Sequence, residues 1–266
     1  MECRWGITTS IKSDFTLLRQ AKELALFWQT GFYPREGKSL AELKEEMGLE
    51  YLLVLDRNQR LYSEEPFLEW HPSMAVVRLR ALYQGKKDNF LRAASILPGD
   101  KVLDCTLGLA ADALLAAWAA GEGGCVLGLE ASPVIAAITQ WGLGHQAGRF
   151  ACRKAPVAQL ASRISVLSTE ALPYLRGMSA DSWDVVCFDP MFQASQTKSS
   201  AINCLRPMAC YSPVDEEVLG EALRVCRRRV VMKERSFSKM FEKLGCPQVK
   251  RSKYGPVAYG VWEKES

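Results

Sequence analysis

A chain of 266 residues, 48% hydrophobic and 24% charged, has the composition of a globular protein large enough to bury a substantial core. Its net charge of +4 neither demands nor forbids a nucleic-acid partner, and no run approaches the about eighteen uncharged apolar residues of a membrane span. Nine cysteines, an odd number without a CxxC pair, read as reduced thiols of a cytoplasmic protein rather than a zinc or disulfide framework, so no metal is expected.

The first ten residues, MECRWGITTS, lack the apolar core of a secretion signal. Residues 1–70 read as a small α+β unit. The spacing of Phe15, Leu18, Ala21 and Ala25 predicts a helix over 15–29, stopped by Gly31 and Pro34. Ser39 caps a second helix ended by Gly48. Residues 51–55 and 60–63 flank the turn Asp56-Arg57-Asn58-Gln59 as a hairpin, giving an αββ module. Residues 71–97 form a helical lead-in broken at Gly85. Its Arg78, Arg80, Lys86, Lys87 and Arg92, interleaved with Trp70, Tyr83 and Phe90, suit either a nucleic-acid face or a helix pair packed on the main sheet. His71 precedes Pro72 in a loop and reads as structural; with His145 it completes the histidine complement, so histidine-based catalysis is poorly supplied.

From Pro98-Gly99-Asp100 onward, strands alternate with helices. Strands are predicted over 101–107, 125–130, 164–167, 185–188 and 229–233, with helices over 112–120, 214–226 and 236–244 and a helix capped by Ser132 with Pro133 at its first position. Residues 248–253 and 257–262 close the chain as a hairpin adding an antiparallel edge strand. Such alternation defines an α/β, doubly wound, mostly parallel Rossmann-like sheet of seven strands over 71–266.

Ligands of such sheets sit at the carboxyl ends of the strands. Asp104 lies in the first strand, and Gly108 follows in the turn before a helix with free amides. Glu130 ends the second strand 22 residues after Gly108, the spacing at which an acid binds ribose hydroxyls. The turn LGLAAD lacks the further glycines that admit a pyrophosphate, which argues against a dinucleotide and for a ribose-bearing ligand without phosphate. S-adenosyl-L-methionine fits, its cationic groups favouring Asp104 and Asp112. Both acids also read as plain turn and cap residues. No phosphate loop of the GxxxxGK[ST] type is present.

The segment WDVVCFDPMF, residues 183–192, is a buried strand halted by Pro190, leaving Asp189 at its carboxyl end. Alone, Asp189 reads equally as a turn residue bonding backbone amides. Asp189 to Phe192 nevertheless resembles the (D/N)PP(Y/F) signature of class I methyltransferases acting on exocyclic amino groups of bases. Such a nitrogen is a poor nucleophile because its lone pair is delocalised into the ring. By that resemblance Asp189 and the Pro190 carbonyl accept its two N–H bonds, and Phe192 stacks on the base.

The wider order, Asp104 to Asp112 (DCTLGLAAD), Leu129 to Pro133 (LEASP), Asp189 to Phe192, Lys198-Ser199 and Arg229 to Lys233 (RVVMK), resembles the 16S ribosomal RNA guanine-N2 methyltransferase family over roughly residues 70–235. The resemblance implies catalytic Asp189, Pro190, Phe192 and Lys198. With the pocket reading, the cofactor set is Asp104, Thr106, Gly108, Asp112, Glu130, Ala131, Glu170, Ala171 and Asp189. Ala110 and Ala111 stand where the family carries glycine and arginine, and residues 1–65 fall outside the resemblance.

Lys198 lies in the long connection 191–213, a candidate lid, where it could meet a phosphate or the cofactor carboxylate. Eleven Lys or Arg against two Glu between Arg224 and Lys253 are compatible with an RNA footprint or with solvated helix faces. The expected partner is thus small-subunit ribosomal RNA. DNA adenine-N6 methylation is the nearest alternative, and a cofactor-binding protein with decayed catalysis is another.

Overall fold

The computed structural model describes residues 3–150, 157–190, 205–210, 212–251 and 255–264. Its first sheet contains β1 (Trp5–Thr9), β2 (Gly31–Phe32), β3 (Tyr51–Leu55), β4 (Leu61–Glu64) and β5 (Phe67–Glu69), in the order β2-β1-β3-β4-β5. Helices α1 (Phe15–Phe27) and α2 (Leu40–Met47) connect β1 to β2 and β2 to β3, and β1 is parallel to both its neighbours. The expected hairpin is β3–β4, paired antiparallel through Leu53↔Ser63. Three further strands, β1, β2 and β5, extend the expected αββ module. Asp14 caps α1 by accepting the Leu17 amide at 2.9 Å, and α2 carries a full Ser39/Glu42 capping box.

The lead-in forms α3 (Ser73–Tyr83) and α4 (Asn89–Ala94). The second sheet comprises β6 (Lys101–Asp104), β7 (Cys125–Glu130), β8 (Ile164–Ser168), β9 (Trp183–Phe188), β10 (Cys226–Arg235), β11 (Gln248–Arg251) and β12 (Val257–Glu263). Between them run α5 (Ala111–Ala120), α6 (Pro133–His145), α7 (Val157–Ala161), α8 (Ala171–Gly177), α9 (Glu216–Val225) and α10 (Met240–Lys243). The order is β11-β12-β10-β9-β6-β7-β8. The closing hairpin differs from expectation in one respect. Its antiparallel strand β12 inserts between β10 and β11, pairing Val231↔Val261 and Lys250↔Tyr259, so the sheet edge is β11. The apolar run of β12, mostly buried, explains this: it needs a partner on each side.

The two sheets share one apolar cluster. Ile7, Leu53 and Leu61 of the first sheet and Trp70 just after β5 join Leu114 of α5 and Ile138 of α6, which pack with the second. Trp70 is 1% exposed and lies against Gly142, where a Cβ would come within 2.1 Å of the indole. Its Nε1 donates to the Leu109 carbonyl at 3.1 Å, tying the first sheet to the turn after β6. Trp70 and Phe90 are therefore core residues, which corrects the reading of them as aromatics interleaved in a nucleic-acid face. No helix among the described residues is long and apolar enough to cross a membrane.

Candidate active site

Chain topology reverses direction between β6 and β9, opening a crevice beyond their carboxyl ends. Strand β6 stops at Asp104 because that side chain turns back to accept the Thr106 amide at 3.1 Å; the expected strand over 101–107 is shortened accordingly. Thr106 in turn accepts the Asp189 amide on its Oγ1 at 2.5 Å. The turn after β6 is thereby bound to the end of β9.

Glu130 closes the other side of this turn. Its Oε2 accepts the Gly108 amide and its Oε1 the Ser132 amide, both at 2.9 Å. Thr139 of α6 donates to the Gly108 carbonyl at 2.7 Å. Gly108 has φ +53°, and nothing lies within 4 Å of where a Cβ would project, so the backbone is open to a ligand there. Ala110 caps α5 at φ 65° while fully buried. Relieving a left-handed alanine is worth about 1–2 kcal/mol. The buried methyl, about 0.8 kcal/mol, and the restricted unfolded chain offset most of that. The turn LGLAAD thus keeps its conformation without the glycine.

Four acids converge here: Asp104 at 5% exposure, Asp112 at 8%, Glu130 at 9%, and the half-buried Asp189. Burial pushes Asp104 up to about 7, with Asp112, Asp189 and Glu130 adding to the shift against the Thr106 amide. Burial likewise raises Glu130, opposed by its two amide donors. Cations hold the cluster together. Lys233 of β10 places Nζ 2.5 Å from Asp189 Oδ2 and 3.8 Å from Asp112 Oδ2. Arg78 of α3 meets Asp112 Oδ1 and grips Asp88 through Nε and Nη2 at 2.9 and 3.0 Å. Burial alone would lower Lys233, but Asp189 and Asp112 reverse this and hold its ammonium above the ordinary lysine value. Burial raises Asp189, and Lys233 opposes that rise.

Ala131 lies between Glu130 and Ser132 at the same rim. Glu170 and Ala171 begin α8 beyond β8, where Thr169 donates to the Glu130 carbonyl at 3.0 Å. Pro190 is half-buried beside Asp189. Phe192 and Lys198 lie outside the described residues. Arg78 and Lys233 were not singled out as site residues from sequence, because their partners stand 34 and 44 residues away. Much of the basic stretch 224–253 is also consumed internally. Arg224 caps α8 through the Leu175 and Met178 carbonyls, Arg227 meets Asp184, Arg228 meets Asp100, and Arg229 meets Glu263.

A doubly wound sheet with one inserted antiparallel strand, a phosphate-free glycine turn and acids at its switch point defines the fold of an S-adenosyl-L-methionine-dependent methyltransferase. The chain belongs to the family described as "Putative SAM-dependent methyltransferase", whose profile matches residues 43–254. The uncharacterized protein YpiP of Bacillus subtilis (strain 168) is 32% identical over 96% of this chain and 98% of its own length. The ribosomal RNA small subunit methyltransferase J of Alkalilimnicola ehrlichii is 32% identical over 158 residues, 56% of each chain. That of Pseudomonas savastanoi is 30% identical over 60% of this chain and 58% of its own. The chain therefore spans little more than half the length of these two ribosomal enzymes. The crystal structure of an SAM-dependent methyltransferase from Neisseria gonorrhoeae superposes over 97% of this chain and 95% of its own with TM-score 0.61 at 16% identity, a likeness of fold. S-adenosyl-L-methionine is the cofactor. The donor set fits it: open backbone at Gly108, a carboxylate at ribose position and buried acids for its cationic groups.

Proposed function

We propose that the chain methylates an exocyclic base amino group in RNA, with guanine N2 of small-subunit ribosomal RNA as the acceptor. The observation that carries this reading is Asp189, held at the carboxyl end of β9 by Thr106 and Lys233 beside the cofactor turn. When bound, S-adenosyl-L-methionine supplies an electrophilic methyl on its sulfonium. Glu130 offers its remaining lone pairs to the ribose hydroxyls.

Lys233 occupies Asp189 Oδ2 and leaves Oδ1 to accept one N–H of the substrate amino group. The adjacent Pro190 carbonyl accepts the other. These two acceptors orient the nitrogen and return lone-pair density toward the methyl, so catalysis here is chiefly positioning. Phe192 supplies a stacking face and Lys198 a phosphate contact. The names of the two ribosomal relatives support small-subunit RNA as the target.

The test separates binding from transfer. Asp189→Ala is expected to lower methyl transfer by about 100-fold or more while cofactor affinity, read by calorimetry, falls far less. Unchanged transfer would remove Asp189 from the mechanism.

A further inference from the structure

The first sheet has a switch point of its own. Strand β1 feeds α1 and β2 on one side, and β3 on the other, all three parallel. Beyond their carboxyl ends lies a cleft of about 470 Å³ that includes Lys12, Arg35, Arg57, Arg60 and Tyr62. Four cations face two carboxylates, Asp56 and Glu64. Asp56 is already committed: it accepts the Asn58 and Arg60 amides at 2.9 and 3.0 Å and pairs with the Arg60 guanidinium at 2.6 Å. Lys12 and Arg57 are exposed, and among the described residues neither has a carboxylate partner.

An aromatic surface adjoins these charges. The Arg60 guanidinium lies 5.5 Å over the Tyr62 ring, and Tyr62 packs 6.0 Å from Phe67, which is 54% exposed. Free cations beside an exposed ring and a half-buried one suit a single-stranded nucleic acid: phosphates meet the cations, and a base stacks on an aromatic face. A free phosphate would use only the former.

The location suits a substrate that extends across the molecule. Asn58 and Gln59, in the turn beside the cleft, receive bonds from Trp141 in the last turns of α6 and from Gln146 and Arg149 just past its end. The near end of α6 begins beside Glu130, and thirteen helical residues span about 20 Å. A single strand covering the length of α6 falls within the ~4–16 nucleotides that single-strand sites cover.

We propose that this cleft docks the backbone of a single-stranded segment of the substrate RNA, at a distance from the reacting base. This rests on the RNA methyltransferase reading above. The test measures binding of a fluorescein-labelled, mixed-sequence single-stranded RNA to the full chain by anisotropy across a salt series. Each cation meeting a phosphate contributes about −0.7 to the slope of log K against log salt. Lys12→Ala/Arg57→Ala therefore flattens the slope by about 1.4 and weakens binding about 25-fold near 0.1 M salt. Tyr62→Ala weakens binding with the slope unchanged. The control is Lys239→Ala/Lys243→Ala, which removes two exposed cations from the region of α10.

Equal loss in both double variants, or binding unchanged by the cleft pair, overturns the proposal. Cofactor affinity and Asp189-dependent transfer, measured on the same proteins, show whether the methyltransferase reading stands regardless. Equal affinity for single-stranded DNA with no transfer to RNA would overturn both.

Discussion

Lys233→Met asks whether the active-site acid works as a carboxylate. In the folded chain Lys233 Nζ lies 2.5 Å from Asp189 and 3.8 Å from Asp112. Its loss leaves Asp104, Asp112, Glu130 and Asp189 with Arg78 as the remaining cation bonded to the group among the described residues. A cation this close typically lowers an acid's pKa by about 1–3 units. Burial already raises Asp189, and the ammonium at 2.5 Å is what opposes that rise. Removing the lysine therefore raises Asp189, which then accepts the substrate N–H only at higher pH. The assay is the rate of methyl transfer against pH. The acid limb should move to higher pH while the alkaline plateau is largely kept, and Lys233→Arg should restore most of the original profile. Cofactor affinity at high pH should change little. An acid limb that stays in place, or a loss of rate equal at every pH, would refute the electrostatic role.

Three further outcomes follow from the same geometry. Arg78→Met leaves Asp88 without its cation and Asp112 with Lys233 at 3.8 Å; with those side chains 11% and 9% exposed, it should cost about 3–5 kcal/mol in urea unfolding, and a loss under about 1 kcal/mol would mean the pairing is a surface interaction. Asp104 sits near 7 when folded and near 4 when unfolded, so between those values the folded chain keeps a proton that the unfolded chain has released, and stability falls as pH rises through that window. Asp104→Asn, which keeps an acceptor for the Thr106 amide, should accordingly stabilise by up to about 4 kcal/mol at pH 8 and by little at about pH 4; equal effects at both would contradict the raised value. Ala110→Gly should leave stability within about 1 kcal/mol, since relief of the left-handed alanine is matched by the lost methyl and freer unfolded chain; a loss above about 2 kcal/mol would mean the Ala110 methyl carries more packing than assumed.

What was legible in the residues was local. Ser39 with Gly48, Ser132 with Pro133, and the alternation of strand and helix after Asp100 each declare themselves within a few positions. The juxtaposition of Glu130 with the glycine turn was readable for a similar reason: a fixed spacing after Gly108 places it at the end of β7, where its carboxylate accepts the Gly108 amide. Strands β1 and β2 gave little sign, since Gly6↔Gly31 and Trp5↔Tyr51 pair in parallel across long connections with no hairpin turn between them. Charge was the least readable property. Arg78, Arg227, Arg228 and Arg229 look like a nucleic-acid footprint in sequence, yet each is paired with an acid brought near only by folding. Lys12 and Arg57, whose partners or lack of them no local pattern declares, are exposed and have no carboxylate partner among the described residues.

The central claim is the identity of the acceptor. Incubating the chain with labelled S-adenosyl-L-methionine and, separately, total RNA, small ribosomal subunits, DNA or protein, then digesting the products, tests it most directly. The account predicts label in small-subunit ribosomal RNA, recovered as N2-methylguanosine and lost in Asp189→Ala. Label recovered as N6-methyladenine from DNA, or cofactor bound with no acceptor labelled, would contradict it.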